Sequence, residues 1–160
     1  MSRSMFSMAL STVALMALPG TGTTTSPAPA LSATVEQCVT AATQADRSVT
    51  FTGQMETVPG AHRMAMEITV QEHAPDEASF HTLTAAGSPT WERSEAGVRV
   101  YKYVRQVTDL PAPATFRAVV AYRWMNERGQ VIRHDERRTL VCRQPQERPK
   151  PEPAAKLSSG

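Results

Sequence analysis

His62, Met64 and Met66 are the side chains whose types and spacing come nearest to a ligand set. In an extended strand alternate residues share a face, so this imidazole and two thioethers would converge. Soft donors of that kind suit Cu(I) in an oxidising compartment. Met55, His73, His81 and Met125 are further donors that could join them. The same face runs on into Ile68 and Val70, however, which makes it the core face of a strand, and methionine is a common core filler. Packing is the expected role; an exported copper carrier using His62, Met64 and Met66 is the alternative.

Other chemistry is thinner. The chain holds no G-x-S-x-G, no H-E-x-x-H, no phosphate-binding glycine loop and no calcium-loop pattern. Its acidic pairs, Asp76-Glu77 and Asp135-Glu136, are adjacent residues. Neighbours in a strand point to opposite faces and cannot serve one site as acid and base. The expectation is a protein that is not an enzyme, with no catalytic residue and no cofactor.

Charge offers a second kind of site. Seventeen Lys and Arg against fifteen Asp and Glu leave a net charge of +2 over 160 residues, too little for a nucleic-acid binder. The total hides a division. Residues 34–98 carry three basic and nine acidic side chains, whereas residues 99–148 carry eleven basic and five acidic. Arg117, Arg123, Arg133 and Arg137 fall on two strands expected to be neighbours. They either pair with acids such as Glu67 and Glu72 on the adjoining strand, which is the favoured reading, or form a basic stripe. Such a stripe would meet an anionic cell-envelope polymer, a wall acid or an acidic polysaccharide. Trp124 lies on an inner face. Trp91 follows Pro89 in a loop, where it caps an open end of the fold or serves as an exposed binding anchor.

The ends of the chain say where these residues operate. Arg3 followed by the apolar run Met5–Leu18 fits the n- and h-regions of a secretory signal, and the run is shorter than the ~20 residues that span a bilayer. Cleavage is expected after Ala30 or Ala33, giving a signal over 1–33 and no membrane span in the mature protein. Residues 145–160, with four prolines, read as an extended tail. Between them lies one domain, 34–144. Its two cysteines allow one pairing, Cys38 with Cys142, and an exported protein is expected to form it.

Period-two alternation dominates that domain. Val49, Phe51, Gly53 and Met55 alternate with polar residues up to Pro59-Gly60; Met64, Met66, Ile68 and Val70 do so before Pro75-Asp76. Phe116, Ala118, Val120, Tyr122 and Trp124 form the clearest inner face, closed by a turn at Asn126–Gly129. With Val35–Ala42, Phe80–Leu83, Val98–Leu110 and Gln130–Cys142, seven strands are predicted and no helix, the pattern of an all-β, antiparallel β-sandwich.

The segment Leu110-Pro111-Ala112-Pro113-Ala114-Thr115-Phe116 resembles the corner of fibronectin type III domains, in which a Leu precedes by six residues a Tyr that opens an alternating strand. Phe116 stands at the Tyr position, so the packing half of the corner is kept and the hydroxyl's hydrogen bond is lost. The resemblance assigns strands B, C, C′, E, F and G across Val49–Val141. The whole chain also resembles small secreted Ig-like proteins of actinobacteria, through Cys38 and Cys142 at the ends of the domain, Met64-Ala65-Met66, and Arg123-Trp124 before the last hairpin. That likeness implies a fibronectin III or Ig-like sandwich and a location outside the cell. The expected function is a non-catalytic secreted module, binding or structural, whose partner is a protein or an anionic envelope polymer.

Overall fold

Residues that alternate in polarity become strands because extended backbone gives the two sets separate faces. The computed structural model describes residues 30–146. Nine strands follow in order: β1 (Leu31–Val39), β2 (Ser48–Glu56), β3 (Arg63–His73), β4 (His81–Thr82), β5 (Glu92–Arg93), β6 (Val100–Thr108), β7 (Ala114–Met125), β8 (Val131–Arg138) and β9 (Cys142–Gln144). Two single 3₁₀ turns, Gln44–Asp46 and Thr84–Ala86, interrupt the loops. Among the described residues no helix is long and apolar enough to cross a membrane. Residues 1–29 of the expected export signal and nearly all of the proline-rich tail lie outside the described residues.

All pairings are antiparallel. A three-stranded sheet runs β1-β2-β6, and a larger one runs β4-β3-β7-β8, with β5 on β3 and β9 on β7. Their facing residues share one core: Val49, Phe51 and Met55 from β2, Met64, Met66, Ile68 and Val70 from β3, and Phe116, Ala118, Val120, Tyr122 and Trp124 from β7. Burying one such large apolar side chain contributes roughly 1.5–3 kcal/mol. Leu110 and Phe116 are both buried in this core. Asp109 before it takes φ 58°, a left-handed conformation that Asp tolerates better than most residues.

The strand count exceeds the expected seven for two physical reasons. Glu92–Arg93 is too short to show a period. The segment expected as one strand, Gln130–Cys142, breaks at Thr139, whose hydroxyl accepts from the Ala118 amide at 2.9 Å and donates to the Leu140 carbonyl at 2.6 Å. A side chain thus takes a place in the ladder, and β8 and β9 pair with separate stretches of β7. The first strand also starts earlier than Val35, with Leu31, Ser32 and Ala33 paired to Met55, Gln54 and Gly53.

Cross-sheet polar links fix the sheets relative to one another. Cys38 in β1 is bonded to Cys142 in β9 with a Cα–Cα distance of 5.6 Å, and Gln144 Nε2 donates to the Val39 carbonyl at 3.0 Å beside it. Trp124 Nε1 donates to the Glu56 carbonyl at 2.7 Å. The buried Tyr122 hydroxyl donates to the Ser32 carbonyl at 2.7 Å.

Burial pushes the Tyr122 pKa up to about 12, with smaller opposing effects from Arg137, which lowers it, and Asp135, which raises it. Folding favours the neutral phenol, so its contribution is complete below the free tyrosine value of about 10 and is lost as pH climbs toward 12. Tyr122→Phe is expected to cost about 1 kcal/mol at pH 7 and to lessen the alkaline loss of stability. Urea unfolding at neutral and alkaline pH checks both, and equal alkaline losses in the two proteins would contradict the assignment.

Candidate functional site

Residues paired across strands share a face, and the register of the larger sheet sorts its side chains by charge. On β3 the outward positions are Arg63, Ala65, Glu67, Thr69, Gln71 and His73; on β7 they are Thr115, Arg117, Val119, Ala121, Arg123 and Met125. Opposite these stand Arg93 on β5, Arg143 on β9, and His134, Glu136 and Arg138 on β8. The outer face therefore carries six arginines, at 63, 93, 117, 123, 138 and 143, against Glu67 and Glu136, a formal surplus of four positive charges.

This arrangement corrects the expected stripe. Arg117 and Arg123 belong to the face; Arg133 and Arg137 do not. The register shifts by one between Trp124 and Met125, with Trp124 opposite Arg133 and Met125 opposite Val131, leaving Ile132 as a bulge. One extra residue reverses the parity of a strand. Arg133 and Arg137 consequently stand opposite Trp124 and Val120 on the inner side of β8, where Arg133 lies 5.5 Å from the Trp124 ring and Arg137 pairs with Asp135. The face instead recruits Arg63, Arg93, Arg138 and Arg143, which strand periodicity alone did not bring together.

Aromatic rings, not carboxylates, hold the two central arginines. Arg123 lies 3.7 Å above the Trp91 ring and Arg117 lies 3.8 Å above the Phe80 ring. Arg117 Nε also donates to Gln71 Oε1 at 2.8 Å. The favoured pairing of these arginines with Glu67 and Glu72 is absent: Glu67 faces Ala121, and Glu72 lies 3.8 Å from His81. Burial raises the Glu72 pKa, with His81 opposing and Glu77 reinforcing the shift. Lys102–Glu36, at 3.4 Å, does link the acidic and basic halves of the sequence, but on the smaller sheet. There a hydrogen bond from Thr52, helped by Lys102, lowers the Glu36 pKa.

Trp91 is half-buried, with Arg123 of β7 over its ring. It lies on the outer face, beside a surface concavity of ≈ 510 Å³ lined also by Ala121, Tyr122, Arg123, His134, Asp135 and Glu136. Ala121 is small enough to leave this room between the strands. Asp135 and Glu136 diverge to opposite faces, and Glu77 is engaged by the Ala74 amide and by His81, at 2.8 and 3.0 Å. Neither acidic pair forms a two-carboxylate centre.

Met64 and Met66 are 1% and 0% exposed and pack in the core with Ile68 and Val70, whereas His62 lies before the strand in a half-buried loop. The thioethers are thus spent on packing, the role the sequence favoured. Among the described residues no group of three or more His, Cys, Asp or Glu is placed to hold a metal ion.

No protein-family model matches the chain, and no curated protein does. Among solved structures it is similar to Bacteroides uniformis beta-glucuronidase 2, covalently bound to cyclophellitol-6-carboxylate aziridine, at TM-score 0.35 and 14% identity over 68% of this chain. The match spans 12% of that enzyme's chain and carries no activity across.

Proposed function

We propose that this protein is an exported, non-catalytic binding module, a β-sandwich of the fibronectin III or Ig-like kind whose larger sheet offers its basic outer face to an anionic polymer of the cell envelope. The observation that carries the binding role is the sorting of six arginines against two glutamates onto one face. A surplus of that kind concentrates polyanions near the surface. The sheet orders support the fold type: β1-β2-β6 corresponds to strands A, B and E, and β4-β3-β7-β8 to C′, C, F and G.

Export is supported by the Cys38–Cys142 bond, since disulfides persist in oxidising compartments. Cleavage after Ala30 leaves β1 whole and gives up the Ala30 carbonyl that accepts from the Glu56 amide at 3.2 Å. Cleavage after Ala33 would strip three paired residues and the Ser32 carbonyl that receives the Tyr122 hydroxyl. The mature chain is therefore expected to begin at Leu31. Intact-mass measurement of protein recovered from outside the cell, with and without reductant, tests this: the expected species starts at Leu31 and gains two hydrogens on reduction. A full-length cytosolic species with two free thiols would remove the basis of the proposal.

A further inference from the structure

We propose that the outer face of the larger sheet is a track for a carboxylated polysaccharide lying along β7, with ligand carboxylates on Arg123 and Arg117. The inference rests on the binding-module reading and names the ligand of that same face. Its first support is the state of the two guanidiniums. Each sets its guanidinium carbon over an aromatic ring, Trp91 at 3.7 Å and Phe80 at 3.8 Å, which restricts the fork before any ligand arrives. A pre-oriented fork loses less freedom when it binds a carboxylate bidentately. Arg123 makes no hydrogen bond or ion pair to another described residue and keeps its donors available.

Spacing points to a polymer. The two positions are six residues apart along the strand, about 20 Å at its usual rise, too far for one small acid to engage both. Between them the floor of β7 is Val119 and Ala121, low apolar side chains over which an extended chain can pass. Arg93, Ala65, Arg123 and His134 form a transverse row across β5, β3, β7 and β8, placing Arg93 two strands, or roughly 10 Å, from Arg123.

The two glutamates narrow the chemistry of the ligand. Glu67 and Glu136 flank Ala121 on either side, amid the arginines; Glu136 lies 3.9 Å from Arg138, an exposed pair that leaves acceptor positions on its carboxylate free. A chain of phosphates offers them no donor and is repelled. A chain bearing both carboxylates and hydroxyls satisfies both signs, the carboxylates on arginine and the hydroxyls donating to glutamate. That combination is a carboxylated sugar polymer.

The test uses the full exported chain, disulfide intact, titrated with polygalacturonate, with neutral dextran and linear polyphosphate as comparison polymers. Tighter binding to polygalacturonate than to either of the others is expected. Arg117→Ala/Arg123→Ala should weaken it at least about tenfold, charge-assisted hydrogen bonds being among the strong ones. Arg133→Ala/Arg137→Ala removes equal charge from the other side of β8 and should change affinity less than about twofold. Should the first variant fold poorly, Arg117→Lys/Arg123→Lys keeps the charge and loses the fork, and is expected to weaken binding as well. Equal losses in the two alanine variants, full affinity in the lysine variant, preference for polyphosphate, or no binding to polygalacturonate would each overturn the proposal. Retention in the envelope without polygalacturonate binding overturns the ligand and leaves the module; a cytosolic, reduced protein overturns the module itself, whatever the polymer result.

Discussion

Replacing both bridged cysteines, Cys38→Ala/Cys142→Ala, is expected to destabilise the protein by about 2–5 kcal/mol. The bond joins positions 104 residues apart, and in the chain-entropy account a loop of that size restricts the unfolded chain by an amount worth about 4.7 kcal/mol. Its folded-state role reinforces this, because β1 is an edge of the smaller sheet and β9 belongs to the larger one. Without the bond, β1 is held across the gap by the Tyr122 hydroxyl and the Gln144 amide. Urea unfolding of the variant should show a lower midpoint and a steeper dependence on denaturant, since the uncrosslinked unfolded chain exposes more surface. A loss under about 1 kcal/mol would mean that the bridge does not restrain the unfolded state.

Gly53→Ala is the second large effect. Gly53 lies on the inner face of β2, where an added Cβ would stand 2.6 Å from Met66 Sδ and 2.9 Å from a Val120 methyl. The two sheets approach each other here closely enough that no side chain fits. Met66 can turn aside, but Val120 is β-branched and stiff. The expected cost is about 1–3 kcal/mol by overpacking, despite the gain in strand propensity from replacing glycine. Val120→Ala should recover part of it in the double variant, because the two changes share one space. Thermal unfolding of the four proteins closes the cycle; simple additivity would contradict the contact. Gly129→Ala has open space around it, and φ 75° at a surface turn leaves backbone strain as its only cost.

What the sequence made legible follows from how much information a strand's own residues carry. β2, β3 and β7 alternate over nine or more residues, and periodicity alone placed their inner faces, including the packing of Met64 and Met66. The cysteine pairing needed only a count. The basic face was half legible. Arg117 and Arg123 lie on a strand whose parity is plain, but Arg133 and Arg137 lie beyond a bulge at Ile132, and no periodicity announces a single inserted residue. Arg93 was hidden for a different reason: it joins the face through a two-residue strand paired to Ala65. The fold turns the −6 and +6 halves of the sequence into a basic outer face of different membership, not into a salt-bridge network. Many of the arginines bond backbone carbonyls or stack on rings, as Arg47, Arg63 and Arg105 do with carbonyls and Arg117 and Arg123 with rings. Such uses leave the positive charge uncancelled at the surface.

Retention by the native envelope reports on the basic outer face in the protein's own setting. Wild type, Arg117→Glu/Arg123→Glu and Arg133→Glu/Arg137→Glu would be expressed for export and partitioned between envelope and medium. The first pair of substitutions is expected to release the protein into the medium, while the second, with the same change of charge on the other side of the sheet, leaves it bound. Equal release of both variants, or wild-type protein never retained, would contradict the role given to that face.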